Sequence, residues 1–178
     1  MNLVLIGYRG TGKSVIARRL ATLLDRPVVS LDQEIIGLAG MPIPDIVATH
    51  GWSHFRDLEE KVCREFGAQD GLIVDCGGGV VEREANFDSL RSGGRVFWLR
   101  ATPTTIVGRI GGDSARPSLT GSKSFTEEVE EVLGRRLPLY ERLAHAAIDT
   151  DGRSPDDLAA TIARRFQASN AKTNAKKR

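Results

Sequence analysis

The sequence predicts an α/β fold of three layers, with a five-stranded parallel sheet covered by helices on both faces. Three observations carry this expectation. Short aliphatic runs alternate with longer stretches of helical periodicity, the pattern of repeated β-α units. The first run passes directly into a glycine-rich G-x-x-x-x-G-K-S stretch that opens a helix. The composition, 40% hydrophobic and 27% charged over 178 residues, suits one soluble domain with a full core.

The elements follow in order. "LVLI" (3–6) reads as a buried strand closed by Gly7, and "SVIARRLATLL" carries a helical stripe at Val15, Ile16, Leu20, Leu23 and Leu24. "PVVSL" is a second strand, followed by a helix around Gln33 to Leu38. "MPIPDIVATHG" reads as a turn, a short helix and a glycine stop. A helix with apolar residues at Phe55, Leu58, Val62 and Phe66 leads to the strand "LIVD". "EREANFDSLRSGG" is a helix stopped by glycines, and "RVFWL" is the fourth strand. Residues 111–124 are rich in glycine and serine without periodicity, too long for a plain connection, and are expected to form a mobile lid. "FTEEVEEVLGRRLPLYERL" is helical with a bend expected at Pro138. The strand "AAID" and a last helix "SPDDLAATIARRF" complete a domain over residues 1–168.

Composition excludes several classes. The net charge of +2 gives no field that would draw nucleic acid, and residues 169–178 read as a disordered basic tail. No apolar run approaches the roughly 18 residues that span a bilayer, and the start has no signal-peptide pattern. The expectation is a cytoplasmic monomer with no membrane partner. Cys63 and Cys76 lack CxxC spacing and read as reduced buried thiols. His50 and His54 are four apart, but Gly51 breaks the helix between them, which disfavours a metal role.

Gly7 to Ser14 matches the phosphate-loop pattern in its required context, between a buried strand and a helix. Its glycines let backbone N–H groups converge on an anion at a helix N-terminus. On this pattern Gly10, Thr11, Gly12, Lys13, Ser14 and Val15 are assigned to ATP. Lys13 reaches the β- and γ-phosphates, and the Ser14 hydroxyl ligates Mg²⁺. Beyond the carboxyl ends of the strands lies the expected ligand crevice, and a small domain with a lid and scattered arginines reads as a small-molecule kinase.

"GYRGTGKS", Asp32, "FRDLE" (55–59), "GGG" (77–79), "ARPSL" (115–119) and "RRLPLYERLA" (135–144) occur in that order. Their spacing resembles the shikimate kinase family, over about residues 2 to 166. The resemblance implies a P-loop kinase fold with strand order 2-3-1-4-5 and transfer of the ATP γ-phosphoryl group to the 3-hydroxyl of shikimate. It implies that Asp32 binds the substrate hydroxyls and acts as base. Arg56 and Arg136 clamp the substrate carboxylate, and Gly77, Gly78 and Gly79 line the substrate and γ-phosphate region. Arg116 closes on the phosphates from the lid, and Arg109 and Arg153, with Pro155, flank the adenine. Phosphoryl transfer rewards positioning and positive charge, and a planar carboxylate is best held by arginine forks. A gluconate kinase would leave the triple glycine and "R.PLY" unexplained. A non-catalytic nucleotide-binding relative would leave Lys13, Asp32 and Arg116 unexplained.

The chain departs from the family pattern at Val15, at Trp52 and above all at Ser30. Ser30-Leu31-Asp32 stands where the family carries Asp-x-Asp, so the first acid of the magnesium shell is absent. Asp75, at the end of the third strand, is expected to replace it, acting through a coordinated water.

Overall fold

The computed structural model describes residues 1–110 and 125–175, with the backbone alone for Phe125 and for 172–175. The stretch expected to form the lid, with Arg116, lies outside the described residues. Five parallel strands, β1 (Asn2–Ile6), β2 (Val28–Ser30), β3 (Ile73–Asp75), β4 (Gly94–Arg100) and β5 (Ala146–Asp149), form one sheet in the order β2-β3-β1-β4-β5.

Strand alternation sorts the core into two layers. Leu3 and Leu5 of β1, with Phe97 and Leu99 of β4, face one side. There they pack against α1 (Lys13–Leu24) and α7 (Pro155–Ala175) through Ile16, Leu20, Ile162 and Phe166. Val4, Ile6, Val96 and Trp98 face the other side. The helices over that side are α2 (Leu31–Ala39), α3 (Ile43–Gly67), α4 (Ala85–Gly93), α5 (Pro103–Ile110) and α6 (Phe125–Leu143). Each fully buried Leu, Ile or Phe contributes about 1.5–3 kcal/mol, so both layers hold the sheet rigid beneath the crevice.

Three features of the helices qualify the expected elements. α3 contains a break at Gly51, whose φ of 81° and ψ of 168° are non-helical. The expected glycine stop is therefore a kink inside one long element. Past it, Trp52, Phe55, Arg56 and Glu59 recur at helical spacing on one face. α6 continues through Pro138 without a second element being formed. α7 extends to Ala175, so the chain assigned to a disordered tail is helical through that residue, and 176–178 lie outside the described residues. No glycine or proline follows Phe166 to end the helix, and Gln167, Ala168, Ala171 and Lys172 favour its continuation.

Candidate active site

Two cavities adjoin at the carboxyl ends of β1, β2 and β3. The first is lined by Arg9, Gly10, Gly12, Lys13, Ser14, Val15, Asp32, Asp75, Cys76, Gly78, Arg109 and Ile110. The second is lined by Tyr8, Arg9, Asp32, Ile43, Trp52, Phe55, Arg56, Glu59, Gly77, Gly78, Gly79 and Arg136. Arg9, Asp32 and Gly78 line both, so the cavities share a wall.

The phosphate loop is built by backbone. Gly10 and Gly12 take φ of 80° and 91°, values that side chains resist, and Gly12 caps the N-terminus of α1. The Thr11 hydroxyl turns inward and donates to Tyr8 O at 2.7 Å. Lys13 Nζ donates to Gly7 O at 2.8 Å and Tyr8 O at 3.0 Å, so the ammonium stands under the loop whose anion it is to meet. Ser14 is exposed at the start of α1. Arg109 closes the cavity edge, donating to Gly10 O at 3.1 Å and to Thr150. Arg153 is not among the lining residues; it folds along α7 and donates to Thr161 Oγ1 at 2.9 Å, while Pro155 opens that helix.

The metal question turns on β3. Asp75 pairs in register with Leu5 of β1 and with Ser30 of β2. Parallel register places residues 30 and 75 side by side, and alternation puts Asp75 on the sheet face that α1 covers. Asp75 is buried and shares the loop cavity with Ser14. A hydroxyl and a carboxylate are hard oxygen donors, and Mg²⁺ keeps most of its waters, so this donor set fits it. Among the described residues no cluster of three or more His, Cys, Asp or Glu could hold a metal without such help.

The second cavity is built by charge. Asp32 lies in the first turn of α2, two residues past the strand end. Arg56 and Arg136 are 8% and 3% exposed, whereas the Arg135 side chain is 61% exposed, so of the adjacent arginines on α6 Arg136 turns to the cavity and Arg135 to solvent. Arg56 pairs with Glu59 at 2.6 Å; this pair is buried rather than superficial, since Glu59 is 1% exposed. Burial pushes the Glu59 carboxyl up and Arg56 opposes it, with Asp32 adding to the rise. Arg136 Nη1 and the Tyr140 hydroxyl both donate to Gly78 O, which fixes the glycine turn from α6.

Two of the three glycines let charged side chains approach the turn closely. A Cβ on Gly77 would stand 2.7 Å from Asp32 Oδ1 and 2.9 Å from Glu59 Oε1. A Cβ on Gly79 would strike the Arg56 guanidinium. Cys63 and Cys76 are free and buried, and burial raises both thiols well above their ordinary value. His50 and His54 bring their rings to 4.9 Å on the exposed side of α3.

Several residues of the site carry no site role in the sequence reading. Glu59, Trp52 and Phe55 share the helical spacing of Arg56, which could have placed them. Glu82, three residues past Gly79, touches both buried arginines, and Tyr140 supports the glycine turn. Nothing local marks either residue.

A phosphate loop over a parallel sheet, sharing a wall with a pocket of buried arginines, defines a phosphotransferase of the phosphate-loop class. The family described as shikimate kinase matches residues 9–167. The chain is 36% identical over 173 residues to the shikimate kinase of Thermodesulfovibrio yellowstonii, covering 97% of this chain and 99% of that protein. It is 40% identical over 161 residues to the shikimate kinase of Rhodopirellula baltica, covering 88% and 86%. The structure of shikimate kinase from Acinetobacter baumannii in complex with shikimate superposes with a TM-score of 0.89 at 31% identity, covering 94% and 93%. The chain belongs to the shikimate kinase family. Its activity is that of an ATP-dependent phosphotransferase. Among the described residues no helix is long and apolar enough to cross a membrane.

Proposed function

We propose that the loop cavity holds the phosphates of ATP with Mg²⁺ and that the arginine-lined cavity holds shikimate by its carboxylate. The observation that carries this reading is the shared wall: Asp32 and Gly78 border both cavities. An acceptor anchored at Arg56 and Arg136 thus presents its far side to the γ-phosphate. Asp32 orients the 3-hydroxyl and takes its proton as its oxygen bonds to the γ-phosphorus and the bond from that phosphorus to the departing ADP oxygen breaks. Lys13 leaves the loop carbonyls for the phosphate oxygens, supplying charge where it develops. Ser14 and Asp75 hold the metal, with the carboxylate at residue 75 standing in register beside Ser30. Mg²⁺ bound there neutralises phosphate charge. Glu59 keeps the Arg56 fork in place, and Gly77 leaves room for the Asp32 and Glu59 carboxyls. Arg116 is assigned to the phosphates on sequence alone.

The test is a coupled assay of ADP release with shikimate, with gluconate and without acceptor, magnesium being present. ADP release that depends on shikimate is expected. Release driven equally by gluconate, or independent of acceptor, would overturn the reading.

A further inference from the structure

Both buried arginines of the acceptor cavity already hold a carboxylate belonging to the chain itself. Glu82, at the end of the short 3-10 turn Val80–Glu82, accepts from Arg56 Nε at 3.1 Å through one oxygen. Its other oxygen accepts from Arg136 Nε at 2.8 Å and lies 2.7 Å from Arg136 Nη2. The carboxylate therefore bridges the pair, while standing outside the cavity lining. Its segment is anchored on either side. Asn86 Nδ2 donates to Val80 O at 2.8 Å, and Arg83 pairs with Asp57 and with Glu60.

Each arginine has partners besides Glu82. Arg56 has Glu59, the Gly79 backbone beneath it and the rings of Trp52 and Phe55 within 5.5 Å of its guanidinium carbon. Arg136 has Gly78 O and the Tyr8 ring. The consequence of Glu82 is electrostatic. Two guanidinium charges stand against two carboxylates, Glu59 and Glu82, so the cluster is balanced before any ligand arrives. Burial pushes the Glu82 carboxyl up, but Arg136 and Arg56 outweigh it and leave the group below its ordinary value.

We infer that Glu82 is a specificity-determining residue, an internal carboxylate that competes with the acceptor's carboxylate for Arg56 and Arg136 and so sets acceptor affinity. Arg135 gives it a third partner, on the exposed side, with Nη2 at 3.3 Å from Glu82 Oε1. An incoming acid displaces Glu82 toward Arg135 and takes over its share of the clamp. This inference rests on the reading of Arg56 and Arg136 as the shikimate clamp.

The experiment is calorimetric titration of wild type and Glu82→Gln with shikimate and with its methyl ester. Removing the internal charge is expected to tighten shikimate binding about three- to tenfold, with KM falling in step, while the uncharged ester gains nothing. Arg135→Gln, at an exposed position, is expected to weaken shikimate binding about twofold, and to have no effect once Glu82 is Gln. Unchanged or weaker shikimate binding by Glu82→Gln, or an equal gain for the ester, would overturn the inference. Failure of the wild type to bind shikimate at all would instead overturn the clamp reading beneath it.

Discussion

The two cavities meet at Asp32 and Gly78 but are made in different ways. The phosphate loop is one contiguous stretch whose glycines and helix N-terminus act through backbone, with a single ammonium drawn beneath. The acceptor cavity draws side chains from α2, α3, the glycine turn and α6, and its buried charges hold one another in place. A backbone site presents the same N–H groups to a phosphate whatever acceptor follows, and relies on few side chains, Lys13 foremost. A charge-built site distinguishes acceptors and is open to tuning by a single residue, as Glu82 illustrates. The contrast predicts that damage to one cavity shows in catalysis and nucleotide use, and damage to the other in acceptor binding.

The largest separation is expected from Lys13→Ala. Loss of the charge that meets the phosphates should lower kcat about 100- to 1000-fold, as for loss of one preorganised donor. Calorimetry should show shikimate binding intact; a parallel loss of shikimate affinity would merge the two cavities into one unit. Next comes Arg136→Gln. A charge-assisted hydrogen bond contributes about 1.5–3 kcal/mol, so KM for shikimate should rise roughly ten- to 150-fold while KM for ATP holds. Steady-state kinetics with each substrate varied checks this, alongside the unfolding midpoint.

The sequence makes the first cavity far more legible than the second, for the same physical reason. Gly7 to Ser14 sits in one stretch between a strand and a helix, so spacing alone locates it. The sheet order, both faces of the core and the inward turn of Arg136 rather than Arg135 agree with what the residue pattern and the family resemblance imply. Glu82 escaped notice because its partners lie 26 and 54 residues away, and no local rule joins them. The α7 extension is hard to read because polar residues there resemble a tail, whereas no glycine or proline ends the helix. The register of Ser30 with Asp75 needed the sheet: the sequence offered an acid at a strand end, and pairing put it beside the serine.

That register supplies a smaller test on the loop side. Asp75→Asn should raise the magnesium concentration needed for half-maximal turnover about tenfold, as for partners of metal ligands. Mn²⁺ binding followed by electron paramagnetic resonance should weaken alongside it, and Ser30→Asp in the same background should restore both. Unchanged metal binding would remove Asp75 from the metal site.

His145, which lines neither cavity, sets the baseline. Burial, with the Arg91 and Arg95 charges, holds its imidazole down to about 4 against an ordinary 6.5, and its Nδ1 accepts the Val96 N–H at 3.0 Å. The unfolded chain therefore protonates first as pH falls, and stability is lost between about 6.5 and 4. Asn at this position keeps an acceptor and removes the titration. Denaturation should show His145→Asn losing about 1 kcal/mol less stability across that window, for a partly buried ring. Turnover per folded molecule should match wild type.

The most direct measurement compares shikimate with its methyl ester as acceptors for the wild-type protein. If Arg56 and Arg136 recognise a carboxylate, kcat/KM falls about 100-fold or more with the ester, while KM for ATP stays put. Equal efficiency with the ester would contradict the account, because the charge-built cavity would then not be reading charge.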